Sequence, residues 1–574
     1  MREIPVYSKF IFKDETFKYE KIMKRIQQIE SAIMEKKEQE YLVAIALERS
    51  PDVIFTMLAM LRLGIAFLPL DLKHPKERIQ YIMEDSGVKT VITLSKHKDM
   101  FPNVNIIALD ECNSCQSASK PKRLENELAY VLYTSGTTGN PKGVMVRREG
   151  LHYFIDGMAK CIDFERNKRM LCLTTFGFDI FFLESIVSIY LGLTVILASE
   201  EEKNNQVKVA ELIKTHEVSM LQMTPSAMQM LLNNEAGKNS MQMVTDILIG
   251  GEKFPQNLLT ELKRVTNARI YNMYGPTETT IWSSVSELTE KDSIDIGKAI
   301  DGTEIYILDE NMCPVPEGET GEIYISGKGL AKGYLNREEL TNEKFIELKN
   351  GLNVRAFRTG DLGRFLQDNI IQYAGRMDNQ VKMYGYRIEL EEIESVINQI
   401  PGIEKSLVII KTKNELHKML AAYYIGTKKE DRAIEEYLSK KLPKYMIPSE
   451  FNRRDTFEYN TNGKLDKEKT LAAIEKEADA GHTEKKEGTE WTRETILEKT
   501  LDIMNTFIGQ NNEYKVSQDL KLSDFDIDSI IFIQIIVELE KVFQIEFGYE
   551  KMSFTAFETV NTLAAYLSEK IEEK

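Results

Sequence analysis

Residues 41–70 read Tyr41-Leu-Val-Ala-Ile-Ala-Leu-Glu-Arg-Ser-Pro-Asp-Val-Ile-Phe-Thr-Met-Leu-Ala-Met-Leu-Arg-Leu-Gly-Ile-Ala-Phe-Leu-Pro-Leu70. Tyr41–Ala46 is an apolar run of strand length, and Ile65–Leu70 is a second one. Between them Ile54, Leu58 and Leu61 recur at helical spacing. A further helical pattern over 75–86 leads to Thr90-Val-Ile-Thr-Leu94. This β-α-β-α-β alternation predicts a parallel sheet covered by helices. Residues 169–250 repeat the arrangement, with strands at 170–175, 193–198, 218–223 and 244–249 and helices at 180–191, 206–215 and 225–233. From 293 to 375 the apolar segments shorten, alternate and are punctuated by glycine, which predicts a small β-rich subdomain.

The texture changes after Gly375-Arg-Met-Asp378, to a compact α+β unit ending near residue 472. Residues 473–493 are charged, small and weakly periodic, the composition of a linker. The last eighty or so residues predict a helical bundle, with helices near 494–508, 529–544 and 557–573. A chain of 574 residues is in any case too long for one core.

Composition narrows the function. Hydrophobic residues make up 42% and charged residues 29%, the balance of a water-soluble globular protein. No apolar run approaches the roughly 20 residues that span a bilayer, and the N-terminus lacks the apolar core of a signal peptide. Five scattered cysteines offer no disulfide framework, so a cytoplasmic location is expected. Cys112 and Cys115 form a lone C-x-x-C that reads as chance spacing. The net charge of −16 argues against nucleic acid as a partner. Residues 494–574 carry sixteen acidic against seven basic side chains, a net of −9, so the tail is an acidic domain suited to basic protein surfaces.

Two stretches carry chemistry. The strand Ala129-Tyr-Val-Leu-Tyr133 runs into Thr134-Ser-Gly-Thr-Thr-Gly-Asn-Pro-Lys-Gly143. Gly136 and Gly139 free the backbone to approach a polyphosphate. Thr134, Ser135, Thr137, Thr138 and Lys142 supply donors and positive charge. The spacing is not that of a Walker A loop, because Lys142 is followed by glycine. The second stretch is Tyr271-Asn-Met-Tyr-Gly-Pro-Thr-Glu-Thr-Thr-Ile-Trp282. Ala268–Tyr271 reads as a short strand, which would put an aromatic face, a hydroxyl and a carboxylate on the loop at its end, where open α/β sheets bind ligands.

These residues resemble the adenylate-forming enzymes and, within them, the amino-acid adenylation domains of nonribosomal peptide synthetases. The resemblance runs in order through Leu61–Asp71, the loop at 133–143, Tyr274-Gly-Pro-Thr-Glu278, Gly321–Gly327, Phe357–Leu362, Gly375–Lys382 with Gly385–Glu389, and Asn462-Gly-Lys464. It implies the adenylate-forming fold: a large N-terminal α/β core with a β subdomain over 1–377 and a small α+β C-terminal subdomain over 378–472 pivoting at Asp378. A linker at 473–493 and a helical-bundle carrier domain over 494–574 would follow.

The resemblance also implies roles. ATP would be bound by Thr134, Ser135, Gly136, Thr137, Thr138, Gly139, Lys142, Gly251, Glu252, Asn272, Tyr274, Gly275, Thr277, Asp361, Tyr373, Arg376 and Lys464. Tyr274 would stack on adenine, Asn272 bond its amino group, and Asp361, placed after a turn, hold the ribose hydroxyls. Glu278 would hold Mg²⁺, and Lys464 would bridge the substrate carboxylate and the α-phosphate, with Thr134 and Lys142 assisting catalysis. Ser529, at the start of an apolar helix, would carry 4′-phosphopantetheine, although Phe525-Asp-Ile527 is bulkier than the family's usual glycine-containing run.

Matching the family's pocket positions implies a substrate site of Asp179, Ile180, Leu183, Gln222, Leu248, Gly250, Met273, Ile281 and Trp282, with Lys464 for the carboxylate. Asp179 would pair with an α-ammonium. Bulky Met273 and Trp282 would exclude side chains, pointing to glycine, with alanine as the alternative. The implied partners are a phosphopantetheinyl transferase, a downstream condensation or tailoring enzyme and a small MbtH-like activator. No condensation or thioesterase motif occurs in the chain, so peptide-bond formation and release are expected of other proteins. A ligase acting on free coenzyme A or a separate carrier is the competing enzyme reading, which Asp179 and Ser529 disfavour.

Overall fold

The computed structural model describes residues 2–572 except 36–39, 113–123, 137–138, 350–352, 379, 415–416, 460–464, 468, 475–490, 509–516, 520, 523–528, 544, 546 and 548–556. The chain packs as two compact units, residues 1–392 with 440–443, and residues 393–439 with 444–574.

The first unit contains two large sheets. One runs in the order 333–334, 142–147, 128–134, 66–69, 42–45, 90–93, 105–108. Its strands from 66–69 outward pair in parallel. The other runs 298–299, 284–287, 269–274, 246–250, 220–223, 169–172, 194–197, 9–12, 15–18, with a parallel centre and antiparallel edges. Strands Ala66–Pro69, Met220–Met223 and Asp246–Gly250 are buried at every position. That is why Ala66–Pro69 reads as an unbroken apolar run and the other two carry one polar residue each, Gln222 and Asp246: a parallel sheet covered on both faces has no solvent side to mark with alternating polar residues.

Local signals place the helices. Pro51 opens the helix Pro51–Leu63, and Gly64 ends it in the left-handed region at φ 81°. A side chain on Gly64 would also meet the Leu124 carbonyl at 2.1 Å. The expected helix over 180–191 departs from regularity. It is α-helical at Ile180–Phe182 and Ser188–Tyr190 but π-helical over Leu183–Val187. One extra residue in the turn turns Glu184 into the interior, where it is fully buried.

The β-rich subdomain is antiparallel. Strands 303–308, 321–327, 354–365 and 345–348 lie in that order, and 371–376 pairs with 354–365. A hairpin, Gln380–Met383 with Tyr386–Glu389, belongs to the same packed unit. Its two-residue turn, Tyr384-Gly385, has positive φ at both positions, the geometry matched to strand twist.

The second unit contains a three-stranded sheet of 403–414, 417–426 and 450–454. Leu407, Ala421, Tyr423, Phe457 and Ile474 cluster about it. Helices Arg493–Ile508, Ser529–Phe543 and Val560–Glu572 share an apolar core that includes Ile496, Met504, Phe532, Leu539, Leu563 and Leu567. These match the three helices expected from apolar periodicity. Among the described residues no helix is long and apolar enough to cross a membrane.

Candidate functional site

The strand expected over 268–271 extends through Arg269–Tyr274, so Asn272, Met273 and Tyr274 lie within the sheet rather than on the loop after it. Asn272 Nδ2 donates to the Asp295 carbonyl at 2.7 Å, a bond that leaves Oδ1 as the acceptor end of its amide. The chain then folds tightly back. Ser283 N donates to the Tyr274 carbonyl at 2.7 Å. A side chain on Gly275 would lie 2.6–2.7 Å from backbone atoms of Ile281, Trp282 and Ser283. Thr280 and Ile281 both have positive φ, 65° and 69°. For β-branched residues this is strained backbone, costing about 1–3 kcal/mol each. The strain delivers Ile281 and Trp282 into the interior, where both are almost fully buried.

Trp282 closes over the neighbouring strand. A methyl group on Gly250 would sit 2.6 Å from Trp282 Cη2 and 2.9 Å from Met273 Cβ. The indole Nε1 donates to Gln222 Oε1 at 3.1 Å. Met273, Ile281, Leu183 and Leu248, grouped from sequence, are buried in the same apolar core. Asp179, also buried, has one carboxylate oxygen, Oδ2, without a hydrogen-bond partner. Burial pushes its carboxyl up to about 6, against the Thr277 hydroxyl, which favours the charged form.

On the other side of the loop, Tyr274 Oη donates to Asp361 Oδ2 at 2.7 Å, and Arg376 Nη1 to Asp361 Oδ1 at 2.6 Å. The Tyr373 ring lies 6.2 Å from that of Tyr274. Asp361 stands inside the strand Val354–Phe365, just past Gly360 at φ 75°, not after a turn. Arg376 also holds Asp378 through Nε at 2.6 Å.

Glu278 is fully buried. Its Oε1 accepts from Tyr334 Oη at 2.8 Å, and Arg387 Nη1 donates to its two oxygens at 3.1 and 2.9 Å. Burial alone would raise this carboxyl, but the Arg387 and Lys142 charges outweigh burial and hold it at about 2. A single ionised carboxylate suits Mg²⁺, which takes one or two carboxylates together with phosphate oxygens; here Arg387 balances its charge.

The glycine-rich loop connects strands Leu128–Thr134 and Lys142–Arg147. Thr134 Oγ1 is buried without a partner. Ser135 Oγ donates to the Arg387 carbonyl at 2.9 Å and Gly136 N to Glu392 Oε2 at 3.2 Å. Lys142 is buried, and desolvation, reinforced by the Arg387 charge, lowers its ammonium to about 8. Beyond the 246–250 strand, Gly251 has φ 87°, and Glu252 accepts from Ser226 and from the backbone N–H of Gly385. Thr137, Thr138 and Lys464 lie outside the described residues, as do Cys115, most of the 473–493 linker and the side chain of Ser529. The backbone of Ser529 begins the helix Ser529–Phe543.

Side chains absent from the sequence-based set take part in these networks, among them Arg387, Tyr334, Glu184, Glu392 and Ser226. Arg387 stands within a motif that was legible, Gly385–Glu389, but the motif says nothing of what the guanidinium meets. Tyr334 and Glu184 carry no local signal: one is recruited by pairing of strand 333–334 with 142–147, the other by the π-turn.

The family described as AMP-binding enzyme matches residues 2–335, and the phosphopantetheine attachment site matches residues 499–567. A dimodular nonribosomal peptide synthase of Bacillus subtilis (strain 168) is 38% identical over 443 residues, covering 75% of this chain and 18% of the relative. The chain thus spans under a fifth of that relative's length. Among solved structures, a holo nonribosomal peptide synthetase protein with adenylation and PCP domains, bound to a vinylsulfonamide inhibitor, matches 98% of this chain and 94% of its own. Its TM-score is 0.73 at 22% identity. A holo four-domain nonribosomal peptide synthetase bound to AMP and glycine is 28% identical with TM-score 0.59, covering 98% of this chain and 41% of that one.

Proposed function

Because the chain belongs to the AMP-binding enzyme family and includes a phosphopantetheine attachment domain, we propose that it activates an amino acid as its adenylate and loads it onto its own carrier domain. The substrate is glycine, with alanine as the nearest competitor, and the setting is nonribosomal peptide or related synthesis. Residues 1–377 form the core, 378–472 a small domain pivoting at Asp378, 473–493 the tether and 494–574 the carrier.

The observation that carries this reading is Asp179, a buried carboxylate with one unpartnered oxygen, whose chain neighbour Ile180 is joined through Gln222 to Trp282. A buried carboxylate left open on one side is suited to an ammonium group. With Trp282 against Gly250, a substrate side chain would have to displace the indole, so selection for glycine is by exclusion. The 28% identity to a synthetase solved with AMP and glycine supports the same substrate.

In the reaction a substrate carboxylate oxygen attacks the α-phosphorus of ATP, the bond to the β-phosphate oxygen breaks, and pyrophosphate leaves. The carboxylate is already a nucleophile, so no general base is needed. Tyr274 offers its ring face to adenine, and Asn272 Oδ1 is an acceptor for its amino group. Asp361, held by Tyr274 and Arg376, would accept from the ribose hydroxyls. Thr134, Ser135, Gly136, Thr137, Thr138, Gly139 and Lys142 cradle phosphate, with Gly251, Glu252, Gly275 and Thr277 lining the approach. Lys464 would act on the substrate carboxylate and the α-phosphate, stabilising charge that builds in the transition state. Glu278 would hold Mg²⁺, which supplies neutralisation of phosphate charge when bound. Ser529 would hold 4′-phosphopantetheine, which would supply the accepting thiol when attached, and a phosphodiester is favoured at a helix N-terminus. A phosphopantetheinyl transferase, a downstream condensation or tailoring enzyme and a small MbtH-like activator are the partners this reading requires or accommodates.

ATP–pyrophosphate exchange across the amino acids tests the reading. Glycine should give the highest rate and alanine the next; a best rate with any larger or non-amino acid would overturn the substrate assignment.

A further inference from the structure

Glu184 lies in the π-helical turn Leu183–Val187, buried and one step behind the pocket wall. Its Oε2 accepts from the backbone N–H groups of Leu173 and Thr174 at 2.8 and 2.9 Å. Its Oε1 accepts from the Thr174 hydroxyl at 2.5 Å and from Gln222 Nε2 at 3.1 Å. The same Gln222 nitrogen donates to the Ile180 carbonyl at 3.1 Å, and Gln222 Oε1 receives the Trp282 indole N–H. A single chain of bonds therefore runs from the backbone at 173–174 through Glu184 and Gln222 to Trp282.

The polarity of this chain permits one arrangement. The Ile180 carbonyl only accepts and the indole N–H only donates, so the Gln222 amide must point its nitrogen toward Ile180 and Glu184. That orientation holds only if the atom of residue 184 facing it is an acceptor. The backbone N–H pair at 173–174 claims the other oxygen. Glutamate satisfies both demands; glutamine, of the same shape, cannot. In a Glu184→Gln variant that gave its amide oxygen to the backbone pair, the new NH₂ would confront the NH₂ of Gln222. Inverting Gln222 to relieve this would set an NH₂ against the indole N–H and forfeit the bond to Ile180.

We infer that Glu184 is a positioning residue for substrate selection: by fixing the amide of Gln222 it holds the Trp282 indole against Gly250 and keeps the side-chain space closed. The inference rests on the reading of Trp282 as a wall of the amino-acid site. Glu184 itself contacts no substrate.

The test uses the full chain and three variants, Glu184→Gln, Trp282→Phe and the double variant, assayed by pyrophosphate exchange with glycine, alanine and valine. Trp282→Phe removes the indole N–H, and the glycine preference should fall. Glu184→Gln should lower the same preference about tenfold, the worth of one or two buried hydrogen bonds, through KM more than kcat. In the Trp282→Phe background it should add little, because the bond it works through is gone. The chain has two tryptophans, so a Trp491→Phe background isolates the emission of Trp282, which should shift to the red in Glu184→Gln. Glu184→Asp, whose shorter side chain retains the backbone pair but not Gln222, provides a second variant should glutamine impair folding. It should give a smaller shift of the same sign. An unchanged glycine preference and emission in Glu184→Gln or Glu184→Asp would overturn the inference. So would an equal shift with and without the indole. An unchanged preference in Trp282→Phe would instead sink the pocket reading, and the selectivity role of Glu184 with it, whatever the emission does.

Discussion

Arg387 and Glu278, 109 residues apart in sequence, form an ion pair in which the carboxylate is fully buried, the guanidinium partly so, and one guanidinium nitrogen reaches both carboxylate oxygens. The pair joins the hairpin at 380–389 to the loop after strand Arg269–Tyr274. In this arrangement it puts a positive charge on the carboxylate assigned to magnesium.

Removing Arg387 should be costly. Arg387→Ala leaves Glu278 buried without its cation, a change that typically costs about 3–5 kcal/mol. Glu278 is held at about 2, below its ordinary 4.5. Its contribution is thus present above about pH 4.5 and is lost as pH falls toward 2. Urea denaturation at pH 7 should show the loss, and the difference between variant and parent should shrink toward pH 2. A variant as stable as the parent at pH 7 would refute the pairing.

Asp179 has the opposite sign. With its carboxyl raised from 3.8 to about 6, the fold favours the protonated form. Stability from this group is complete below about pH 4 and falls as pH rises through 6, by roughly 3 kcal/mol. Asp179→Asn should therefore be more stable than the parent at pH 7 and indistinguishable from it near pH 4. Glycine-dependent exchange should drop at least about a hundredfold, since a buried ammonium would lose its charged partner. Thermal melts at the two pH values, beside the exchange assay, check both halves.

Trp282→Ser should open the side-chain space. The loss of a buried aromatic costs about 3–5 kcal/mol, so the melting temperature should fall. Exchange with alanine and larger amino acids should rise relative to glycine. Unchanged selectivity would mean that the indole does not bound the site.

The two half-reactions separate by mutation. Lys464→Ala should cut adenylate formation by about 10²–10³-fold, the scale for one lost transition-state donor, measured as pyrophosphate exchange. Ser529→Ala should leave that exchange intact and abolish labelling by a phosphopantetheinyl transferase. Labelling of the serine variant, or normal exchange in the lysine variant, would contradict the assignment.

Sequence by itself determined the layout. Alternating apolar runs set the parallel sheets, because strands such as Ala66–Pro69 are buried on both faces and must be continuously apolar. Gly64, Pro51 and the Tyr384-Gly385 turn mark element ends through backbone constraints local to a few residues. The ordered motifs also assembled Asp179, Met273, Tyr274, Glu278 and Asp361 as candidates before any geometry was known. Tertiary structure alone decided how those groups are held. The Arg387–Glu278 pair, the Tyr334 hydroxyl, the Asp361 anchor shared by Tyr274 and Arg376, and the chain from Glu184 to Trp282 all join residues far apart in sequence. Their strength comes from burial and from donor and acceptor directions, quantities that exist only once distant strands have paired. The π-turn that buries Glu184 and the positive φ of Thr280 and Ile281 are of the same kind. Local propensity opposes both, and packing around them prevails.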